Sequence, residues 1–109
     1  TVGFELFGQK YTALNGGPMF KFTEAVSFVV HCKNQAEVDH YWNTLTADGG
    51  QEQACAWLKD KYGLSWQIVP DAMIVMMSDT DGAKAQRVAM AMMKMKKIII
   101  ADLEAAYNG

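Results

Sequence analysis

Two serines, a histidine and two amides are the residues of this 109-residue chain whose types and spacing allow a site. Ser27 and His31 stand four apart in one apolar run, Ser65 and Gln67 two apart in another, and Asn15 opens a Gly-Gly-Pro turn. Side chains alternate along a strand, so even spacing puts Ser27 with His31, and Ser65 with Gln67, on a common face. Hydroxyl, imidazole and amide groups both donate and accept, so this set can orient a polar ligand. Catalysis asks for more. A nucleophile needs a base within hydrogen-bond reach, and Cys32 adjoins His31, but neighbours on a strand point to opposite faces. Cys55 is expected on an apolar face, where a thiol is inert. Carboxylates near the cleft are sparse: Glu5 and Glu24 are the candidates, because Asp60 is committed to a turn. Divalent ions want clustered His, Cys, Asp or Glu, which this set lacks. The expectation is a ligand site without an assigned reaction, with no metal and no cofactor.

The element that positions these groups is the stretch Gln53–Val69, read as two short strands joined at Asp60-Lys61-Tyr62-Gly63. Asp first and Gly fourth suit a type I turn. Pairing Asp60 with Gly63 sets Trp57 opposite Trp66, Cys55 opposite Ile68 and Ala56 opposite Gln67. One face then carries Cys55, Trp57, Trp66 and Ile68 and reads as core, with paired indoles. The other carries Ala54, Ala56, Leu58, Ser65, Gln67 and Val69 and reads as the wall of a cleft. On that assignment Trp57→Ala destabilises by about 3–5 kcal/mol, while Gln67→Ala leaves the fold nearly intact.

The remaining elements follow from punctuation and period. Thr1–Leu6 and Lys10–Leu14 form a hairpin around Phe7-Gly8-Gln9, and Asn15-Gly16-Gly17-Pro18 breaks the chain. Ala25–Cys32 is a strand with Val26, Phe28 and Val30 on one face and Ala25, Ser27, Val29 and His31 on the other. Asn34 with Glu37 signals a capping box, and Val38, Tyr41, Trp42 and Leu45 mark the buried stripe of the helix that follows. His40 lies off the stripe, in solvent. Pro70 opens a short helix with Met73, Met76 and Met77, and Asp79–Asp81 start another that runs to about Lys96. A last helix spans about Ala101 to Tyr107. The methionines, at helical spacing, read as core or dimer packing. The class is α+β with a mostly antiparallel sheet.

Composition narrows the partners. Ten Lys and Arg against twelve Asp and Glu give a net charge of -2, no case for nucleic acid. The run Lys94–Lys97 is expected to close a helix, where it complements the dipole. No apolar run spans a membrane, no signal peptide is visible, and two separated cysteines suit reduced thiols in the cytoplasm. The chain opens at Thr1 already in a strand, so a segment upstream is expected.

The segments Ala13–Pro18 (ALNGGP), Phe20–Phe28 (FKFTEAVSF), Trp42-x-x-Leu45, Asp48-Gly49-Gly50 and, above all, Cys55-x-Trp57 through Pro70 resemble the PhnB-like family. So do Lys84–Val88 (KAQRV) and Met95–Ile98 (MKKI). That family carries the label 3-demethylubiquinone-9 3-methyltransferase and belongs to the glyoxalase, bleomycin-resistance and extradiol-dioxygenase (vicinal oxygen chelate) superfamily. The resemblance implies paired βαβββ modules with sheets curled around a shared cleft, commonly completed in a homodimer. On it, residues 1–15 are the closing hairpin of an incomplete first module, 25–70 a second module and 71–109 C-terminal helices. In metal-using relatives a His on the second module's first strand and a Glu on its last bind the ion. Those positions fall here on Ala25 and Gln67, and the first module's Glu falls near Leu14-Asn15. A divalent metal therefore meets replaced ligands. The implied readings are, in order, a metal-free module binding a small molecule through Asn15, Ser27, His31, Ser65 and Gln67, then a metal-dependent lyase, isomerase or dioxygenase. A methyltransferase comes last, for want of a glycine-rich nucleotide-binding unit.

Overall fold

The computed structural model describes the whole chain, Thr1–Gly109. Strands β1 (Val2–Leu6) and β2 (Gln9–Ala13) form the expected hairpin. Leu6 pairs with Gln9, and Phe7 and Gly8 both take positive φ, 50° and 78°. Two left-handed residues in a two-residue loop match the right-handed twist of the flanking strands. This pair is a sheet of its own. It leans on the rest through aromatic contacts, Tyr11 to Phe28 at 6.0 Å and Phe7 to Tyr41 at 6.5 Å between ring centroids.

The second sheet is built from β3 (Ser27–Cys32), β4 (Gln51–Glu52), β5 (Trp57–Lys59) and β6 (Ser65–Pro70), in the order β3-β6-β5-β4. β3 and β6 run parallel and the other pairs antiparallel. Helix α1 (Gln35–Thr46) is the link out of β3. Asn34 caps it, its Oδ1 accepting from Glu37 N at 2.9 Å, while Glu37 reaches back to Lys33 N at 2.9 Å. The reciprocal bonds satisfy donors that an uncapped first turn leaves bare. After a single 3-10 turn at Ala47–Gly49 the chain must pass tightly by the helix end: a Cβ on Gly50 would lie 2.6 Å from Thr46 Cα. Only glycine fits. Val38 and Trp42 are fully buried against Val30, Cys32, Leu58 and Ile68, with Tyr41, Leu45 and Trp66 at the margin. The Trp42 Nε1–H donates to Glu52 at 2.6 Å, which satisfies the one polar atom of the buried indole. His40 is exposed, as expected.

The register of the central ribbon differs from the sequence expectation by one residue. The turn is where it was placed, with Gly63 N donating to Asp60 O at 2.9 Å, but Gly63 is left-handed (φ 87°) and Asp60 N bonds Leu64 O at 2.9 Å. That is a type I turn closed by a glycine bulge. The extra residue slides β6, so Leu58 faces Trp66 and Trp57 faces Gln67. A one-residue slip reverses a strand's faces relative to its partner. The indoles therefore part: Trp66 stays with Ile68 on the α1 side and is joined there by Leu58, while Trp57 stands on the Gln67 side. Cys55 and Ala56 are not in a strand at all. Both are left-handed (φ 60° and 74°) in a bend that precedes β5. Ala25 and Val26 likewise lie ahead of β3, which begins at Ser27.

Three helices complete the chain: α2 (Asp71–Met77), α3 (Gly82–Met92) and α4 (Ile100–Asn108). Their core joins Met73, Met76, Val88, Ile98 and Leu103 to Val69 and Ala56. α3 stops at Met92, so Lys94–Lys97 do not close a helix; they form the connection to α4, where Lys97 pairs with Asp39 at 3.0 Å. Cys55 N and Ala56 N bond Met95 O and Lys96 O at 2.9 and 3.0 Å, and Gln35 bridges Ile98 O and Ile100 N at 2.9 and 2.8 Å. No helix is long and apolar enough to cross a membrane. The radius of gyration, 15.9 Å, exceeds the roughly 13 Å of a compact chain this long. The hairpin and the loop after it hold many exposed apolar side chains, among them Phe4, Phe7, Leu14, Phe20 and Phe22.

The corrected register reorders the two indole-to-alanine substitutions. Trp42→Ala is expected to destabilise by about 3–5 kcal/mol, and Trp57→Ala, which truncates a half-buried ring, by clearly less. Urea denaturation midpoints of the two variants check the order.

Candidate functional site

The face of the second sheet away from α1 is laid out in rows by the ladder. The first row crosses three strands as Ser27, Ser65 and Lys59; the second as Val29, Gln67 and Trp57; the third pairs His31 with Val69. Directly paired residues share a face and lie within contact distance. The structure thus brings together Ser27, Ser65 and Gln67, with His31 at the far end of β3. The third row is partly covered, because Val69 is buried by the C-terminal helices. The first row is covered at its centre, where Ser65 is fully buried, while Ser27, Lys59, Gln67 and Trp57 are half-buried and Val29 is exposed.

Two polar features stand out in this patch. Gln67 Nε2 donates to Ser27 Oγ at 2.9 Å, so the amide ties β6 to β3 and leaves the Ser27 proton free to donate. Ser65 is fully buried, and its Oγ has no hydrogen-bond partner. Buried hydroxyls are almost always satisfied, which makes this one conspicuous. Beside it, the Lys59 ammonium is ion-paired with Glu24, from the loop ahead of β3. The bond from Lys59 holds the Glu24 carboxyl below the usual carboxylate range.

Asn15 is exposed in the loop after β2, its Oδ1 accepting from Gly17 N at 3.4 Å in its own turn. Cys32 is buried on the α1 side, opposite in direction to exposed His31, so thiol and imidazole are separated by the strand. Burial pushes the Cys32 thiol up to about 11, with the charges of Glu37 and Asp71 adding to the shift, and the thiolate needed for nucleophilic attack is disfavoured. No group of three or more His, Cys, Asp and Glu side chains is gathered closely enough to hold a metal ion. Ala25, Leu14 and Asn15 bring no imidazole or carboxylate, and the Gln67 amide is already bonded to Ser27. What the arrangement can do is hold a molecule by hydroxyl and amide hydrogen bonds beside an indole.

Two members of the patch, Trp57 and Lys59, were not reached from the sequence. For Trp57 the signal was present: Gly at the fourth turn position permits the bulge that carries the indole across. For Lys59 the pairing with Glu24 depends on a loop path that no local pattern specifies.

Comparison with known proteins gives a consistent family. The family model described as 3-demethylubiquinone-9 3-methyltransferase matches residues 1–69. Among solved structures, a PhnB protein from Bacillus cereus bearing the same 3-demethylubiquinone-9 3-methyltransferase description is 31% identical, with a TM-score of 0.56. The match covers 62% of this chain and 61% of that one. No curated protein matches.

Replacing a buried, unpartnered hydroxyl by hydrogen removes a desolvation cost and leaves a gap of only one oxygen atom. Ser65→Ala is expected to raise stability by about 1 kcal/mol, measured by thermal or urea unfolding.

Proposed function

The chain belongs to the 3-demethylubiquinone-9 3-methyltransferase (PhnB-like) family, and from that premise we propose that it is a binding module that holds a small, partly polar molecule on the open sheet face without a metal ion. The observation that carries this is the state of Gln67 and its neighbours. On the resemblance to the glyoxalase superfamily, Gln67 occupies the place of a metal-binding carboxylate, yet its amide donates to Ser27. A neutral amide gives a divalent ion less charge stabilisation than a carboxylate. Ser65, Ser27 and Gln67 instead offer unpaired hydrogen-bonding capacity beside the Trp57 ring. The methyltransferase description is the family's name, and the chain has no glycine-rich nucleotide-binding βα unit to support that chemistry.

The same reading includes a homodimer in which a second copy covers the apolar surface that this elongated chain leaves bare, from Phe4 and Phe7 on the hairpin to Val26 and Val29 at β3. Apolar side chains left exposed in this number are what a second copy would cover.

A thermal-shift screen of small polar metabolites tests the binding module, since a specific ligand stabilises the folded state by mass action. The expected result is stabilisation that is lost in Gln67→Leu. Stoichiometric divalent ion retained through purification would instead favour the metal-dependent lyase, isomerase or dioxygenase reading, and a monomer by sedimentation would remove the dimer.

A further inference from the structure

The first row of the open face sets two hydroxyls beside a lysine that is paired with a carboxylate of the chain itself. Ser27, Ser65 and Lys59 lie side by side across β3, β6 and β5. Two hydroxyls and an ammonium are donors, and none of the three strands places a carboxylate in that row. Of these donors, Ser65 is fully buried with its hydroxyl unsatisfied, and Ser27 accepts from Gln67 but has its own proton to give. The ammonium alone is occupied, by Glu24. Glu24 belongs to no strand or helix, and its side chain is more than half exposed, so displacing it disturbs no packed element. Solvent reaches the Glu24 end of this ion pair and screens it, so the pair contributes little. Its hold on Lys59 is easily exchanged for another carboxylate that also meets the serines.

We propose that Glu24 is an internal stand-in for the ligand's carboxylate: the ligand is a small carboxylic acid whose carboxylate takes Lys59 from Glu24 and accepts from Ser65 and Ser27, with a planar apolar body lying along Trp57 and Val29. This rests on the reading of the open face as a ligand site and specifies the ligand class. The apolar part follows from the second row, where an indole and an exposed valine flank Gln67. A charged group bound by hydroxyls and an ammonium forms charge-assisted bonds stronger than neutral ones, which favours the acid over its amide. The orphaned Ser65 hydroxyl gains an acceptor only when the site is filled.

Benzoate and benzamide, equal in shape and different in charge, are the probes. Titrations are followed by the NMR shifts of the Gln67 side-chain amide and the Trp57 indole N–H in the full chain. Benzoate is expected to bind with both signals moving, at least about tenfold more tightly than benzamide. Lys59→Met, which keeps the aliphatic stem, is expected to erase that preference. Glu24→Gln is expected to tighten benzoate binding about two- to fivefold, the size of the exposed pair it removes. Ser65→Ala is expected to weaken benzoate binding several-fold while raising the melting temperature, a combination that a purely structural serine would not produce. Equal binding of the two probes at these signals overturns the carboxylate assignment and leaves the ligand-site reading standing. Failure of benzoate to move either signal, or an unchanged affinity in Lys59→Met or Glu24→Gln, overturns the proposal as well.

Discussion

The Asp60 carboxylate accepts from three donors: Tyr62 N and Leu64 N through Oδ1, at 2.9 and 3.0 Å, and the Trp66 indole through Oδ2, at 3.0 Å. The first two fix the path of the turn, and with left-handed Gly63 they admit one more residue than a plain type I closure. The third ties that turn to the ring beneath α1. Because side chains on a strand alternate, this single added residue decides which members of β5 face the core and which face the open side. Leu58 goes to α1 and Trp57 to Gln67. The patch of serines, amide, lysine and indole exists as a patch only in this register.

Much of the architecture was legible because its signals are local. The Asn34–Glu37 capping pair, the stripe of Val38, Tyr41, Trp42 and Leu45, the Phe7-Gly8 turn and the helix opened by Pro70 each announce themselves within a few residues. Ser27 with His31, and Ser65 with Gln67, share a face because each pair sits on a single strand with even spacing, while the β3–β6 register puts both pairs on the same side. What the sequence concealed depended on the joining of elements. Periodicity cannot register a bulge, so the indoles were paired in error. The bend at Cys55-Ala56 looked like strand because nothing in those residue types asks for left-handed backbone, which is costly for a non-glycine residue; it is held by acceptors some forty residues later, at Met95 and Lys96. The lysines after α3 looked like a helix end because a terminal basic run is common there, yet Lys97 serves the start of α1 through Asp39.

The distribution of covered and bare surface gives the molecule its character. α1 shields one side of the four-stranded sheet and the C-terminal helices shield the end of the other, from Val69 and Ala56 onward. Beyond those helices this side of the sheet is only half covered, and Val29 is exposed. Donors predominate on that strip, and the charged carboxylate beside it arrives from a loop. A thiol exists nearby in sequence, but Cys32 faces the other way and burial keeps it protonated. Hydroxyl, amide and ammonium groups thus stand on one side of the sheet, and the thiol is packed on the other.

The connection between α3 and α4 bears on how the chain comes apart. Its carbonyls receive the Cys55 and Ala56 amides, and its far end is clasped by Gln35 and by the Asp39–Lys97 pair. The tail beyond the family-matched segment is therefore laced into both the ribbon and the first turn of α1. Fraying of α4 alone leaves those stitches in place, whereas lifting the connection strips acceptors from a strained bend and bares Val69. The four-stranded sheet and the C-terminal helices are accordingly expected to open as one cooperative unit, while the β1–β2 hairpin, a sheet of its own that meets them through ring contacts, is expected to open more readily.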